Sequence, residues 1–211
     1  MMKNGYFQII DHYKKLLSRH GKNNIGLGWN SKKKNNLRFK LILKIIRLEN
    51  IKKNFKILDF GCGLSDLHSF LKANKVSHKY FGIDTNLNAI NFSKKKFINN
   101  TYYSGDFLNK NEIKLDTKYD IIVINGVFTI KKKLSDSTML KYIFSILKEL
   151  KKNSKKIILF NVLTNVPDWK NKDNYYPNVD KFSLMIKKNF ECNYTMLYEK
   201  KLHELFYILK L

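Results

Sequence analysis

Two glycines separated by one cysteine, Gly61-Cys-Gly63, directly follow a predicted buried strand. The apolar run Phe55–Phe60 predicts that strand, and the spacing of apolar residues predicts a helix over 66–73. In an open parallel sheet, ligands bind at the carboxyl ends of the strands, where the strand order reverses. Because glycine lets a ligand approach the backbone closely, this loop is typical of a small-molecule site.

Acidic side chains on both sides of the loop indicate which ligand it suits. Asp59 lies at the end of the strand, and Asp66 stands where the dinucleotide-binding fingerprint has a third glycine. Two carboxylates would repel a pyrophosphate at that helix terminus. S-adenosylmethionine has a sulfonium, an ammonium and no phosphate, so Asp59 would attract its methionine end. The charges therefore predict S-adenosylmethionine as the cofactor rather than a nicotinamide dinucleotide.

Three later strand ends carry side chains that suit the rest of this ligand. Asp84 ends the next strand, where an acid can accept hydrogen bonds from both ribose hydroxyls. Asp106 and Phe107 suit the amino group and the ring face of adenine. A further apolar strand delivers Asn125 to the same edge of the sheet. The order of these residues along successive strands makes the set more specific than any single motif.

These residues resemble the class I S-adenosylmethionine-dependent methyltransferase family over residues 50–165. Asp59-Phe-Gly-Cys-Gly63 looks like the first motif of the family, Asp84 like its ribose-binding acid and Asp106-Phe107 like its adenine contact. The resemblance implies a Rossmann-like fold and methyl transfer, with S-adenosylhomocysteine as the product.

A narrower resemblance, to a little-characterised group of small bacterial methyltransferases, extends beyond these motifs. In that group a glycine stands where this chain has Ser65, a departure that a small residue should tolerate. The resemblance implies the reaction and leaves the methyl acceptor open. The segments that carry it are Leu27–Trp29, Leu37–Phe39, Gly61–Leu67, Asn125–Phe128, Phe160–Leu163, Asp168-Trp169, Tyr175-Tyr176 and Glu204–Phe206.

The amino-terminal segment is expected to contribute to the site. Arg38 is one of only three arginines among 41 basic residues, and a guanidinium matches a carboxylate bidentately. We hypothesise that this arm folds over the cofactor and that Arg38 or the loop 26–29 contacts the methionine carboxylate or the substrate. The alternatives are a surface salt bridge for Arg38 and a core position for Trp29. The predicted cofactor-binding residues are Trp29, Arg38, Asp59, Gly61, Cys62, Gly63, Asp84, Thr85, Asp106, Phe107, Asn125 and Gly126.

Methyl transfer requires alignment of the acceptor and, for some acceptors, a general base. Tyr13, His20 and His203 are the predicted catalytic residues. His203 precedes Glu204, which could hold the imidazole, although adjacent strand residues point to opposite faces and a surface position is the alternative. An imidazolium at His20 would equally suit the dipole of a helix end. Further candidates at the rim of the site are Asn125, Asn161 and Tyr176.

Composition bears on partners and location. The net charge of +24 suggests a polyanionic partner such as nucleic acid, but nearly all the basic residues are lysine, which compositional bias would also produce. Cys62 and Cys192 are too few for a disulfide framework, and no metal site is indicated. We find no apolar run that would span a bilayer and no signal peptide, and we therefore expect a cytoplasmic protein.

The predicted function is methyl transfer to an oxygen or nitrogen of a small molecule, such as an anionic sugar or cell-surface precursor. An RNA or DNA methyltransferase using the basic surface and a non-catalytic cofactor-binding protein are the alternatives. Asn125-Gly-Val-Phe128 shares its end residues with the Asn-Pro-Pro-aromatic motif of nucleobase amino methyltransferases but lacks both prolines. Those prolines make the acceptor loop rigid, so their absence disfavours base methylation.

Alternating strand and helix patterns predict an α/β fold: a doubly wound, mostly parallel sheet of seven strands, with an antiparallel last strand and helices at the amino terminus. The short hairpin-like link between the last two strands implies an antiparallel edge on this sheet. We expect residues 1–50 to form a helical arm and residues 51–211 the methyltransferase domain. Helices are predicted at 2–19, 36–49, 66–73, 86–96, 137–152 and 178–189, the fifth capped by Ser137, and strands at 55–60, 80–83, 101–103, 119–124, 156–163, 190–199 and 203–211.

Overall fold

A computed structural model describes residues 5–109, 111–167 and 170–211. Strands and helices alternate through the middle of the chain, as the apolar patterns predict. The elements are α1 (Phe7–His20), α2 (Lys32–Leu48), β1 (Phe55–Phe60), α3 (Asp66–Ala73), β2 (His78–Asp84), α4 (Leu87–Lys96), β3 (Thr101–Ser104), β4 (Tyr119–Ile124), α5 (Asp136–Lys151), β5 (Ser154–Leu163), α6 (Val179–Phe190), β6 (Asn193–Glu199) and β7 (Glu204–Lys210).

The seven strands form one sheet in the order β3-β2-β1-β4-β5-β7-β6. The first five strands are parallel, and β7 is antiparallel to both β5 and β6. The predicted fold class is therefore confirmed. Because the chain builds β1, β2 and β3 in one direction and then places β4 on the other side of β1, the strand order reverses between β1 and β4. The carboxyl ends of these two strands flank the crevice where such sheets bind ligands.

The predicted antiparallel edge, built by the last two strands, is confirmed. β7 lies inside the sheet, between β5 and β6, and its residues from Glu204 to Leu209 are buried. β6 forms the edge, and its residues are mostly exposed. The physical reason is the apolar run Leu205–Leu209, which suits a strand covered on both faces, whereas Asn193–Glu199 mixes polar and apolar residues.

Two helices begin at residues different from those that apolar spacing predicted, and in each case a capping side chain fixes the first residue. α5 begins at Asp136 because Ser135, in extended conformation, accepts a hydrogen bond from the backbone N–H of Thr138 at 3.2 Å. The predicted cap, Ser137, lies in the first turn instead. α2 begins four residues earlier than predicted, at Lys32, and is capped by Ser31.

The core lies on both faces of the sheet, and the amino-terminal helices belong to it. On one face, α2 packs Phe39, Ile42 and Ile45 against Ile57 of β1 and Val123 of β4. On the other face, Ile9 and Ile10 of α1 join a larger cluster built with α5 and α6. None of the helices in the described ranges combines the length and apolar character that crossing a membrane would require.

Candidate active site

A cavity opens above the carboxyl ends of β1, β2 and β4 and is covered by α1 and the loop that follows it. The structure brings together twelve of the residues that the sequence singled out, although they come from segments spread over more than one hundred positions. Those that line the cavity are Tyr13, Trp29, Asp59, Gly61, Cys62, Gly63, Asp84, Thr85, Asp106, Phe107, Asn125 and Gly126.

The glycine loop has backbone angles that explain its composition. Gly61 (φ +76°) and Gly63 (φ +53°) lie in the left-handed region. A Cβ at Gly61 would lie 2.4 Å from the Val127 side chain, and one at Gly63 would lie 2.8 Å from Leu27. The backbone N–H groups of Gly61 and Cys62 donate to Ile83 O at 2.8 and 2.9 Å, which ties the loop to β2.

Ser65 occupies the position where the resembling bacterial group has glycine, and its φ of +60° shows why glycine suits that position. Its side chain is buried, and its hydroxyl donates to Tyr102 Oη at 3.1 Å. The chain thus replaces glycine with a small residue held in a left-handed conformation by its own hydrogen bond.

Two carboxylates lie at the ends of β1 and β2. Asp84 Oδ2 accepts from the backbone N–H of Gly63, and its Oδ1 accepts from that of Asn86, both at 2.8 Å. Asp59 Oδ2 accepts from Tyr80 Oη at 2.7 Å. Desolvation raises the pKa of Asp59 to about 7, the bond from Tyr80 opposes this shift and the charge of Asp84 adds to it. A cation in the cavity would favour the ionised form of Asp59.

The carboxylate of Asp106 is held by the amino-terminal arm. Its Oδ2 accepts from Tyr6 Oη at 2.6 Å, and its Oδ1 accepts from the backbone N–H of Leu108 at 3.0 Å. Phe107 packs edge-on against Phe60, with ring centroids 5.2 Å apart. The arrangement gives a fixed acceptor beside an aromatic face, which is what recognition of adenine requires.

Two amide oxygens among the cavity-lining residues test the fit of S-adenosylmethionine. Asn35 Oδ1 and Asn125 Oδ1 are buried and have no hydrogen-bond partner in the described part of the chain. Buried polar groups are normally paired, so these acceptors require a donor from a ligand. The cofactor carries such donors on its ammonium, amino and hydroxyl groups and could satisfy Asn35, so the residues present fit it.

Sequence reasoning missed Asn35. It occupies the apolar stripe of α2, at helical spacing from Phe39, Ile42 and Ile46, and only 3% of its surface is exposed. A polar residue within an apolar stripe is the pattern that could have identified it, since buried polar groups need a partner.

Comparison with known proteins agrees with this geometry. The family model described as a methyltransferase domain matches residues 51–208. The chain belongs to this methyltransferase family. The predicted enzyme class, a methyltransferase, is confirmed.

Individual relatives are distant from this methyltransferase in sequence. The Mycobacterium tuberculosis protein Rv1506c, provisionally named a methyltransferase, is 26% identical over 161 residues, which cover 75% of this chain and 95% of that protein. Among solved structures, the magnesium protoporphyrin IX methyltransferase of Synechocystis PCC 6803 with bound S-adenosylhomocysteine has a TM-score of 0.64 and 12% identity, covering 97% of this chain and 95% of the other. The plantazolicin methyltransferase BpumL, solved with a desmethylplantazolicin analogue and S-adenosylhomocysteine, has a TM-score of 0.62 and 14% identity, covering 98% and 93%. At these identities the two structures show a shared fold.

The predicted catalytic residues of this methyltransferase fall in different places. Tyr13 lines the cavity; burial raises the pKa of its phenol to about 12, while a hydrogen bond with Thr129 opposes the shift. His20 is exposed at the end of α1, and His203 lies in the turn before β7 with a φ of +54°. Neither histidine belongs to the described cavity lining.

The remaining rim candidates have other partners. Asn161 Oδ1 accepts from the backbone N–H of Gly126 at 2.7 Å, and this hydrogen bond connects β5 to the loop after β4. Tyr176 Oη accepts from the backbone N–H of Asn171 at 2.9 Å, and Tyr176 does not belong to the described lining. Asp168 and Trp169, which contributed to the narrower resemblance, lie outside the described residues.

Arg38 neither lines the cavity nor forms a surface salt bridge, the two positions that the sequence left open. It is buried and makes an ion pair with buried Glu204 on β7, donating from Nε to Oε2 at 3.0 Å and from Nη2 to Oε1. Its guanidinium lies over the Trp29 ring, 4.5 Å from the centroid. Glu204 binds the guanidinium of Arg38 inside the protein, so this salt bridge is buried rather than at the surface. Arg38 does not belong to the described cavity lining. Trp29 lies between Arg38 and the cavity.

Proposed function

We propose that this methyltransferase transfers the methyl group of S-adenosylmethionine to an oxygen or nitrogen of a small molecule. One observation carries the proposal: a single covered cavity contains the side chains suited to the cofactor together with an apolar wall from α1 and the loop after β4. When bound, the cofactor supplies an activated methyl group on sulfur, so the protein has to align the acceptor and exclude water.

Different parts of the cavity suit different parts of the cofactor. We assign Asp84 to the ribose hydroxyls, and Asp106 with Phe107 to adenine. The loop Gly61–Gly63, Asp59 and Asn35 are assigned to the methionine end, where Asp59 supplies negative charge and Asn35 supplies an unpaired acceptor. Supporting this order, Asp106, Asp84 and Asp59 follow β3, β2 and β1, which are neighbours in the sheet.

Residues 1–50 act in this proposal as a cap on the domain formed by residues 51–211. Leu27 lies over Gly63, and the Trp29 ring lies over Gly126. Tyr13 lines the same cavity from α1. These contacts would shield the transferred methyl group from solvent and leave little freedom for the acceptor, which is how a methyltransferase with an activated cofactor gains rate.

Calorimetric titration with S-adenosylhomocysteine tests the proposal. We expect binding by the wild-type protein and a loss of at least about tenfold in affinity for Asp84→Asn, since two ribose hydrogen bonds to a carboxylate are weakened. Asp116→Asn, at an exposed position outside the described lining, is the matched control and should bind normally. Absence of binding by the folded wild-type protein would refute the proposed function.

The two alternatives have separate tests. An RNA or DNA methyltransferase using the lysine-rich surface should bind RNA with an affinity that falls steeply with salt. Absence of RNA binding at moderate salt would leave the small-molecule proposal. A non-catalytic protein would bind S-adenosylmethionine without methylating any acceptor. The two solved neighbours are methyltransferases named for magnesium protoporphyrin IX and for plantazolicin, which supports a small acceptor for the present chain.

A further inference from the structure

The charge of the cavity is opposite to the charge of the protein. The chain has 41 basic residues and a net charge of +24, yet the described residues that line the cavity include no lysine, arginine or histidine. The charged side chains among them are Asp59, Asp66, Asp84 and Asp106. An anionic acceptor would lose its hydration there without gaining a counter-ion, which is costly. The lysine excess therefore does not extend into the site.

Two lysines that directly follow the lining residue Ile130, namely Lys131 and Lys132, are paired with acids. Lys131 Nζ lies 2.5 Å from Asp136 Oδ1, and Lys132 Nζ lies 2.7 Å from Asp173 Oδ2. Each pair is partly exposed, so its own energy is small. The two ammonium groups are therefore already neutralised by Asp136 and Asp173. A phosphate or carboxylate on the acceptor would have to compete with these aspartates for the lysines.

The sheet order separates the cofactor end of the cavity from the acceptor end. Strand-borne residues assigned to adenosine lie at the ends of β3 and β2, and those assigned to methionine lie at the end of β1, with Asn35 of α2. The opposite side of the crevice is the loop after β4, which contributes Val127, Thr129 and Ile130. Tyr13 and Trp29 face this loop from the arm. The acceptor end thus has uncharged, mainly apolar walls.

Hydrogen-bonding groups at this end are also selective. Asn125 Oδ1 is a buried acceptor without a partner in the described chain, so it requires a donor on the ligand. The Thr129 hydroxyl already donates to Gly126 O at 2.9 Å. Because the pKa of Tyr13 is raised to about 12, its phenol is protonated at neutral pH and is unsuited to remove a proton from a hydroxyl acceptor.

We infer that the methyl acceptor is an amine nitrogen on an apolar scaffold, an inference that rests on the proposed function. An amine has N–H donors for Asn125, and once it is neutral it needs neither a counter-ion in the uncharged walls nor a general base. Apolar walls favour its neutral form, because desolvation disfavours the ammonium. The nitrogen lone pair forms a bond to the methyl carbon while the carbon–sulfur bond breaks and its electron pair passes to sulfur. The alkylammonium product then loses a proton to water.

Three probes with one apolar group and different head groups test the inference. 2-Phenylethylamine, 2-phenylethanol and phenylacetate are titrated into the protein saturated with S-adenosylhomocysteine, and binding is measured by calorimetry at neutral pH. We expect the amine to bind most tightly and phenylacetate at least about tenfold more weakly, since a buried carboxylate lacks a counter-ion. Equal or tighter binding of phenylacetate, tighter binding of the alcohol, or no binding of any probe would overturn the inference. Failure of S-adenosylhomocysteine itself to bind would instead refute the proposed function.

Two variants locate the preference at the acceptor end. Ile130→Lys introduces a cation at the cavity and should strengthen phenylacetate about tenfold relative to the amine, because only the carboxylate gains a counter-ion. Ile98→Lys is the matched control, because Ile98 is 81% exposed, and it should leave the order unchanged. If Ile130→Lys does not fold, Asn125→Leu removes the unpaired acceptor and should weaken the amine by about tenfold. An unchanged amine affinity in folded Asn125→Leu would contradict the inference.

Discussion

The indole ring of Trp29 lies against the backbone of Gly126, so closely that a Cβ on Gly126 would be 2.2 Å from Cη2 of the ring. Both residues line the cavity, one from the amino-terminal arm and one from the loop after β4. Gly126 also has a φ of +77°. The close packing of the arm on the sheet therefore depends on a missing side chain at this position.

We expect Gly126→Ala to displace Trp29. Gly21→Ala is the matched control, because Gly21 has a similar φ of +74° but nothing within 4 Å of its Cβ position. Both variants should lose about 1–3 kcal/mol because alanine disfavours a positive φ, and Gly126→Ala should lose a further 1–3 kcal/mol, roughly, from overpacking. Urea unfolding measures stability, and calorimetry should show weaker S-adenosylhomocysteine binding in Gly126→Ala alone. Equal stability of the two variants would contradict the expected clash.

The buried pair of Arg38 and Glu204 should be structural. Glu204→Gln leaves the guanidinium of Arg38 without a full counter-charge, so the free energy of unfolding should fall by about 3–5 kcal/mol. Glu191→Gln, at an exposed position, is the control and should change it by less than about 0.5 kcal/mol. Urea titration checks both variants. If Arg38 instead bound the cofactor carboxylate, Arg38→Ala would lose cofactor affinity while keeping its stability, the reverse of what the burial predicts.

Ionisation of Asp59 should make cofactor binding pH-dependent. Its pKa of about 7 lies above the value in the unfolded chain, so the folded protein holds this proton more tightly. The corresponding contribution to stability is fully present below the unfolded pKa and is lost as the pH rises through about 7. A bound sulfonium and ammonium favour the carboxylate, so affinity for S-adenosylmethionine should rise between pH 6 and pH 8, by up to about tenfold per pH unit below 7.

The variant Asp59→Asn provides the control for this pH dependence. It cannot ionise, so both the rise in affinity and the loss of stability across this range should flatten. Calorimetry at three pH values measures the first, and thermal unfolding of the ligand-free protein measures the second. The same slope in wild type and in the variant would show that another group titrates.

The hydroxyl of Tyr13 should act on the acceptor rather than on the cofactor. Tyr13→Phe keeps the ring that packs near Gly28 and removes the polar group that meets Thr129. We expect about tenfold weaker binding of 2-phenylethylamine, the loss of roughly one hydrogen bond, with S-adenosylhomocysteine affinity unchanged within twofold, roughly. Tyr198→Phe, at an exposed position, is the control. Equal losses of affinity for 2-phenylethylamine and S-adenosylhomocysteine would show that the Tyr13 hydroxyl maintains the shape of the whole cavity and does not act on the acceptor alone.

Exposed His20 gives a complementary prediction. Because it lies outside the described cavity lining, His20→Ala should change stability by less than about 0.5 kcal/mol and should leave binding of both ligands unaltered. Methyl transfer at pH values from 6 to 9 should show the same profile in wild type and His20→Ala. A lost ionisation in that profile would restore His20 as a catalytic base.

Local patterns in the sequence determined the strands and most of the glycine loop. Apolar runs such as Phe55–Phe60 predict strands because a strand that is buried on both faces has an almost continuous series of apolar residues. Asp59, Asp84 and Asp106 each follow a strand, and parallel strands place their carboxyl ends at one edge. Their meeting in one cavity follows from the order of the elements alone, which is why the cofactor could be inferred before any contact was known.

The tertiary structure alone decided which polar residues meet across long separations. Arg38 and Glu204 are 166 positions apart, and only the docking of α2 beside β7 pairs them and removes Arg38 from the cavity. Asn35 became a site residue because the packing of α2 on the sheet places this buried residue in the cavity lining. Sequence patterns report the environment of each residue, whereas the identity of a partner depends on how distant elements pack, and one-dimensional spacing does not contain that information.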